Sequence, residues 1–506
     1  MAINQNDIIY FLLTDRFYGL ADKSRTDIDR SDPRAWHGGN LDGIIEKIPY
    51  LLKLGITAVW ITPVYLQVPS LTDANGKLSA TAYHGYWPLD FNAVDPHLYI
   101  DNGRFPEGSK LYVKELADAL HLNGIKLILD MVVNHTGYGH PALTNDPSNP
   151  TPIRNDWYNQ RGLSSNVDEI QGELAALPDM DLDKPDVCDY HIETILSWIR
   201  STGIDGIRMD TVKHVERVFW NFFKTQVKGM FPDVTLIGEV LVFDADAISQ
   251  YQQHFAFDSL FDFPMQEAMN NAFIYNGSLK AFVSPFDGGT GILEKDNHYT
   301  NHNKLATLLD NHDLSARYMS LAMQQCGNNK TAAAKLLKLA LTFMFTIRGI
   351  PQIYYGTETA AEGFADPDNR RDFNWNLFDS EYNVKPGFAV EKDIFDLSCA
   401  LTRMRKSNPV FYCGNFVCLY VDDFVLAFLR YVDDGAAITI IHNGNLPMPE
   451  NLSIDAASNG MIPARVLKYL EGKHSVCPYT GDSIEIRNGG FAVKMKEKSA
   501  AVYIFN

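Results

Sequence analysis

A chain of 506 residues, 46% hydrophobic and 12% aromatic, is too long for one ordinary core and too apolar for a disordered protein, so it reads as a large barrel with one or two smaller modules. Its 62 acidic side chains against 44 basic ones leave a formal net charge of -18, which repels phosphate backbones and anionic lipid. Nucleic acid and membrane are therefore excluded as expected partners, and a neutral substrate fits better.

The first nine residues have neither a basic n-region nor an apolar h-region, so no signal peptide is visible and the chain is expected in the cytoplasm, as a monomer; a removed leader would place it outside. Six cysteines are spread thinly, without metal-ligand spacing. Cys413 and Cys418 could pair, although buried free thiols suit a cytosolic protein better.

In chain order, residues 8–17 begin as a continuous apolar run, the mark of a strand covered on both faces. A helix to Leu54 follows, with Leu41, Ile44, Ile45, Ile48, Leu51 and Leu52 on a helical period and Gly55 as its cap. Residues 56–62 form the next buried strand, closed by Pro63, which makes a βαβ unit with parallel pairing. The pattern repeats: a helix over 111–122 ended by Gly124, then strands over 126–133, 206–210, 236–239, 257–261, 304–310 and 350–355, with helices such as 191–201 and 333–345 between them. Eight strands alternating with helices predict an α/β fold, a (β/α)8 TIM barrel. A doubly wound sheet is the rival, but no glycine-rich phosphate turn follows any strand.

Residues 137–182 break this rhythm. They hold no clean helix and are rich in Pro, Asn, Asp and Ser, so they are expected to form an irregular subdomain inserted after strand 3 and leaning over the barrel mouth. The barrel then comprises 1–136 and 183–406. From 407 to 506 the stretches 417–420, 425–431, 437–441 and 491–505 are β-rich between turn residues, which predicts a C-terminal antiparallel β-sandwich.

In such a barrel chemistry collects at the carboxyl ends of the strands. Those ends read Asp130-Met131-Val132-Val133-Asn134-His135, then Arg208-Met209-Asp210, then Gly238-Glu239-Val240, then Asp310-Asn311-His312-Asp313. Strand alternation puts Arg208 and Asp210 on one face and Ile207 and Met209 on the other. A guanidinium beside Asp210 is expected to hold it ionised at neutral pH, as a nucleophile requires. Each residue alone has a bland reading, as a strand cap or a satisfied core histidine; their convergence is what carries weight. Two acids at one site, one a nucleophile and one an acid/base, describe retaining glycoside hydrolysis, and a third can stabilise an oxocarbenium-like transition state. Neither a Gly-x-Ser-x-Gly elbow nor a His-Glu-x-x-His pair is present, which disfavours serine and zinc hydrolases.

These segments closely resemble the α-amylase family of glycoside hydrolases, over nearly the whole chain. The flanks Gly55-Ile56-Thr57-Ala58-Val59-Trp60-Ile61-Thr62-Pro63 and Gly349-Ile350-Pro351-Gln352-Ile353-Tyr354-Tyr355-Gly356-Thr357-Glu358 agree as well. The resemblance implies an enzyme cleaving internal α-1,4-glucosidic bonds of an α-glucan, with Asp210 as nucleophile, Glu239 as acid/base and Asp313 as transition-state stabiliser. It implies that Arg208 orients Asp210, that His135 and His312 bind hydroxyls of the sugar being cleaved, and that Tyr86, within Tyr83-His84-Gly85-Tyr86-Trp87, is its platform. His84 and Trp87 belong to the same segment. Asp366 and Arg370 look like the pair gripping the next sugar, and Lys213 and His214 like side chains of the acceptor side. Leu177-Pro178-Asp179-Met180-Asp181 is similar to the Leu-Pro-Asp-Leu-Asp of many α-amylases. The family's structural Ca2+ is matched at Asn134, Asp179 and the carbonyl of His214; six to eight oxygens are needed, and Asp168 and Glu169 are candidates for the remainder. A cyclodextrin-cleaving, neopullulanase-like or glucan-transferring relative keeps the same catalytic residues and is the rival reading.

Overall fold

The computed structural model describes residues 2–505 except 21–24, 26, 73–77, 256, 284–290 and 449–450. Eight short parallel strands form its centre: β1 (Ile9–Leu12), β2 (Ala58–Ile61), β3 (Lys126–Met131), β4 (Gly206–Met209), β5 (Thr235–Gly238), β6 (Ser259–Leu260), β7 (Ala306–Leu308) and β8 (Ile350–Tyr354). They pair in the order β6-β5-β4-β3-β2-β1-β8-β7. The circle closes where Phe261 bridges Ala306 and the Asp262 amide donates to the Ala306 carbonyl at 2.9 Å. This is a (β/α)8 TIM barrel. Neighbouring registers (Asp130 opposite Arg208, Met209 opposite Gly238) bring the carboxyl ends of β3, β4 and β5 to one level.

The apolar runs form strands because both of their faces are covered, one by the barrel interior and one by helices. β1 is shorter than the expected 8–17. After Leu12 the chain turns into a single helical turn, Thr14–Phe17, because Asp15 and Arg16 have partners off the sheet. Asp15 accepts the amides of His37 and Gly38, and Arg16 donates to the carbonyls of Pro33 and Ala35. The helix expected to end at Leu54 is two pieces, Leu41–Glu46 and Ile48–Leu54, parted at Lys47 where Pro49 opens the second; Gly55 caps it at φ 86°.

An antiparallel ribbon of Tyr65–Gln67 with Pro88–Val94, inserted after β2, was not visible in the periodicity. Between its arms runs the aromatic segment. Gly85 sits at φ 89°, and a Cβ there would lie 2.3 Å from the Pro63 carbonyl oxygen, so only glycine lets this segment fold back against the end of β2. Residues 137–182 contain only short turns, Pro141–Thr144, Asn155–Trp157 and Leu174–Ala176, pinned to the barrel by a bridge between His135 and Asp179.

The C-terminal region, expected to be all-β, is built on antiparallel sheets but also holds two short helices, Val410–Cys413 and Ala464–Leu470, the second of which packs Val466 and Leu470 into the module's core. Asn415–Val421, Val425–Tyr431, Ala436–His442 and Ser499–Phe505 form a four-stranded sheet; Leu452–Asp455 with Gly490–Val493, and His474–Val476 with Ser483–Glu485, form two ribbons. The stretch expected as one strand over 491–505 is thus divided between a ribbon and the main sheet. Alternate residues of the sheet serve two cores: Leu426, Phe428 and Ile441 join the barrel's, while Ala427, Leu429 and Ile440 join the module's own. Among the described residues no helix is long and apolar enough to cross a membrane.

Candidate active site

Asp210, Glu239 and Asp313 come from the ends of β4, β5 and β7 and meet around one guanidinium. Arg208, 1% exposed, donates from Nη1 to Asp210 Oδ1 at 2.6 Å, and its Nη2 lies 3.0 Å from Glu239 Oε2 and 3.9 Å from Asp313 Oδ2. Nη1 also donates to Asp130, at 2.9 Å and 3.2 Å. Asp130 is fully buried and receives Trp60 Nε1 at 3.0 Å and the Tyr86 hydroxyl at 2.7 Å, so it anchors Arg208 and the aromatic segment from below. Directly after Asp210, Thr211 adopts φ 51°, a costly conformation for a β-branched residue, and its amide donates to Glu239 Oε2 at 3.0 Å.

The electrostatics differ from the sequence expectation. Arg208 does pull Asp210 down, but burial outweighs it, and with Glu239 and Asp313 alongside the carboxyl is pushed up to about 7. Burial also raises Glu239, against Arg208 and reinforced by the charge and hydrogen bond of Asp313. Arg370 offsets Asp313 from the far side, so it is the buried pair Asp210 and Glu239, sharing the single guanidinium of Arg208 with Asp130, that is pushed toward holding a proton near neutrality.

These acids lie at the bottom of a cleft of about 600 Å³. His84, Tyr86, Trp87, His135, Lys213, His214, His312, Asp366 and Arg370 all line it, while Arg208 lies beneath. The Tyr86 ring stacks on His312 with centroids 5.2 Å apart and planes 13° apart. Burial holds His135 down at about 4, and His312 and His84 well below the usual range, so these rings are neutral hydrogen-bonding groups. Arg370 donates to the His312 carbonyl at 3.0 Å and reaches Asp313 at 3.4 Å and Asp366 at 3.3 Å; the Tyr83 hydroxyl donates to Asp366 at 2.9 Å. Such a surface suits a polyol with apolar ring faces.

One wall of the cleft was not expected from the sequence, which singled out Leu177 only within its Leu-Pro-Asp stretch and Glu169 only as a calcium candidate. Tyr138, Glu169, Leu174, Ala175 and Leu177 of the inserted segment, and Leu241 after β5, also line the cleft. The segment has no periodicity from which side-chain directions can be read.

At the junction of segment and barrel, the Asn134 side chain contacts Asp179 Oδ1 at 2.5 Å and the His214 carbonyl at 3.1 Å, and Asn159 donates to Asp179 Oδ2 at 2.8 Å. The three expected calcium ligands are therefore together. Turning the Asn134 amide over would present three oxygens, a donor set that fits a hard cation. Burial pushes Asp179 up to about 8, with Glu216 and Glu173 adding and the Asn159 and Asn134 amides opposing. The other candidates do not join them: Asp168 closes a turn by accepting the Ile170 and Gln171 amides, and the Glu169 carboxylate pairs with Lys213 at 3.0 Å. Instead Asp181, Asp183 and Glu216 gather oxygens within 4.8 Å of one another, a grouping the sequence did not suggest.

Comparison with known proteins agrees with this geometry. The family model "Alpha amylase, catalytic domain" matches residues 11–394. A β/α-amylase of Paenibacillus polymyxa is 31% identical over 98% of this chain, which spans 37% of that relative's length. A cyclomaltodextrinase of Thermoanaerobacter pseudethanolicus is 30% identical over 87% of this chain and 70% of its own. The crystal structure of an Anoxybacillus α-amylase superposes with a TM-score of 0.81 at 32% identity, covering 99% of this chain and 98% of that one. With the family model spanning most of the chain and the barrel and its strand-end acids in place, the chain belongs to the α-amylase family of glycoside hydrolases and transferases.

Proposed function

We propose that the cleft cleaves internal α-1,4-glucosidic bonds of starch, glycogen or maltooligosaccharides with retention of anomeric configuration. The observation that carries this reading is the convergence of Asp210, Glu239 and Asp313 on Arg208 at the foot of an aromatic- and histidine-lined cleft. The mechanism requires the shared proton on Glu239 and the charge on Asp210, an arrangement supported by the shorter Arg208 contact to Asp210, 2.6 Å against 3.0 Å, and by the Asp313 charge beside Glu239. Glu239 gives that proton to the glycosidic oxygen while Asp210 attacks the anomeric carbon, forming a glycosyl ester and releasing the acceptor-side sugar. Glu239, now ionised, takes a proton from water; the resulting hydroxide attacks the same carbon and frees Asp210. Asp313 faces the positive charge that develops on the ring between these states.

Asn134, Asp179 and the His214 carbonyl would hold Ca2+, which when bound neutralises Asp179 and ties the inserted segment to the barrel. A second reading, cyclomaltodextrinase, neopullulanase-like or 4-α-glucanotransferase action by the same residues, is favoured by the cyclomaltodextrinase relative. Separate digestion of amylose, β-cyclodextrin and pullulan distinguishes them. Rapid loss of amylose viscosity with mixed oligosaccharides is expected, whereas preference for the cyclic substrate would replace the first reading with the second.

A further inference from the structure

One residue of the inserted segment, Glu169, contacts two other cleft-lining side chains at once. The Glu169 carboxylate lies 3.0 Å from Lys213 Nζ, and its carbonyl accepts His214 Nδ1 at 2.8 Å. Lys213 and His214 sit in the turn after β4, three and four residues beyond Asp210, and all three residues line the cleft. The Glu169 side chain is 56% exposed and that of Lys213 23%, so solvent screens this ion pair and it adds little to stability. What it fixes is direction: a four-carbon stem that would otherwise sample many rotamers is held with its ammonium at the cleft wall. On the same cleft wall the Tyr138 hydroxyl donates to the Ala175 carbonyl at 2.7 Å.

We propose that Glu169 is a positioning residue for acceptor-side sugar binding, acting through Lys213 and His214, so that the inserted segment sets how firmly a glucosyl unit is held where the leaving or incoming sugar sits. This rests on the α-glucan reading above. A glucosyl hydroxyl accepts from the oriented ammonium, and because the same subsite receives an incoming acceptor, the Glu169 contact also sets the share of glycosyl-enzyme intercepted by sugar rather than water.

The test compares Glu169→Ala, Glu169→Gln, Lys213→Ala and the Glu169→Ala/Lys213→Ala double variant on maltoheptaose, with and without added maltose. Both Glu169 variants are expected to raise KM by about threefold to tenfold while kcat stays within about twofold. Products longer than the donor should diminish in the maltose arm. Lys213→Ala should add nothing in the Glu169→Ala background, and thermal unfolding midpoints should stay at the wild-type value. Unchanged KM and product ratios, independent addition of the two substitutions, or a loss of kcat that follows a fall in the unfolding midpoint would overturn the role of Glu169 while leaving the α-glucan reading intact. Failure of the wild type itself to cleave maltoheptaose would instead bring down both.

Discussion

Two buried glutamates at strand ends of the same barrel have opposite surroundings. Glu239, after β5, opens onto the cleft, faces Arg208 at 3.0 Å and shares its space with Asp210 and Asp313. Glu358, in the turn after β8, is fully buried, and its Oε1 accepts the hydroxyls of Tyr10 at 2.7 Å and Tyr50 at 2.6 Å. Burial raises both carboxyls, so neither depth nor a displaced pKa separates a reactive acid from a structural one. The difference lies in what else is present. Glu239 has a cavity, a cation and two competing acids; Glu358 has two neutral donors and packed rings, with Tyr50 edge-on to Phe373 and Trp375.

Substitutions on the two sides of this contrast should separate activity from stability. The largest effect is expected at Asp210: Asp210→Asn should lower kcat on amylose by about four orders of magnitude or more while the unfolding midpoint holds, and substantial residual turnover would remove Asp210 from the mechanism. Asp313→Asn should lower kcat by about 10²- to 10³-fold. It should also shift the pH profile. Asp313 raises Glu239, so losing its charge lowers the Glu239 pKa, and the alkaline limb, where the acid loses its proton, must move to lower pH. A limb that stays in place would mean that another group is the acid.

On the structural side, Glu358→Gln should cost about 1–3 kcal/mol in denaturant unfolding, because an amide donor would be buried at the place of Oε2, which has no partner now. Its kcat should match the wild type, and a catalytic defect would erase the contrast between the two glutamates. The effect of calcium removal depends on supply: at a free concentration about a hundred times its Kd, chelation should remove about 2.7 kcal/mol, read as a lower unfolding midpoint. Asp179→Asn should abolish that sensitivity; a chelator response surviving in this variant would move the cation elsewhere.

Much of this molecule was legible along the chain. Eight apolar runs and the intervening helical periods specify the barrel, since a strand buried on both faces must be apolar throughout and a helix buried on one face must repeat every three to four residues. The acids at 210, 239 and 313 stood out because strand ends are where such a barrel exposes side chains on one side. Three things needed the folded chain. The charge on Asp210 could not be read from Arg208 as its neighbour, because desolvation and two distant acids oppose that single favourable contact. The ribbon after β2 is short and bulged, so its alternation is broken where it matters. The contact between Glu169 and Lys213 joins an aperiodic segment to a barrel turn 44 positions away, and no local pattern encodes a pairing that only the packing of the segment over the mouth creates.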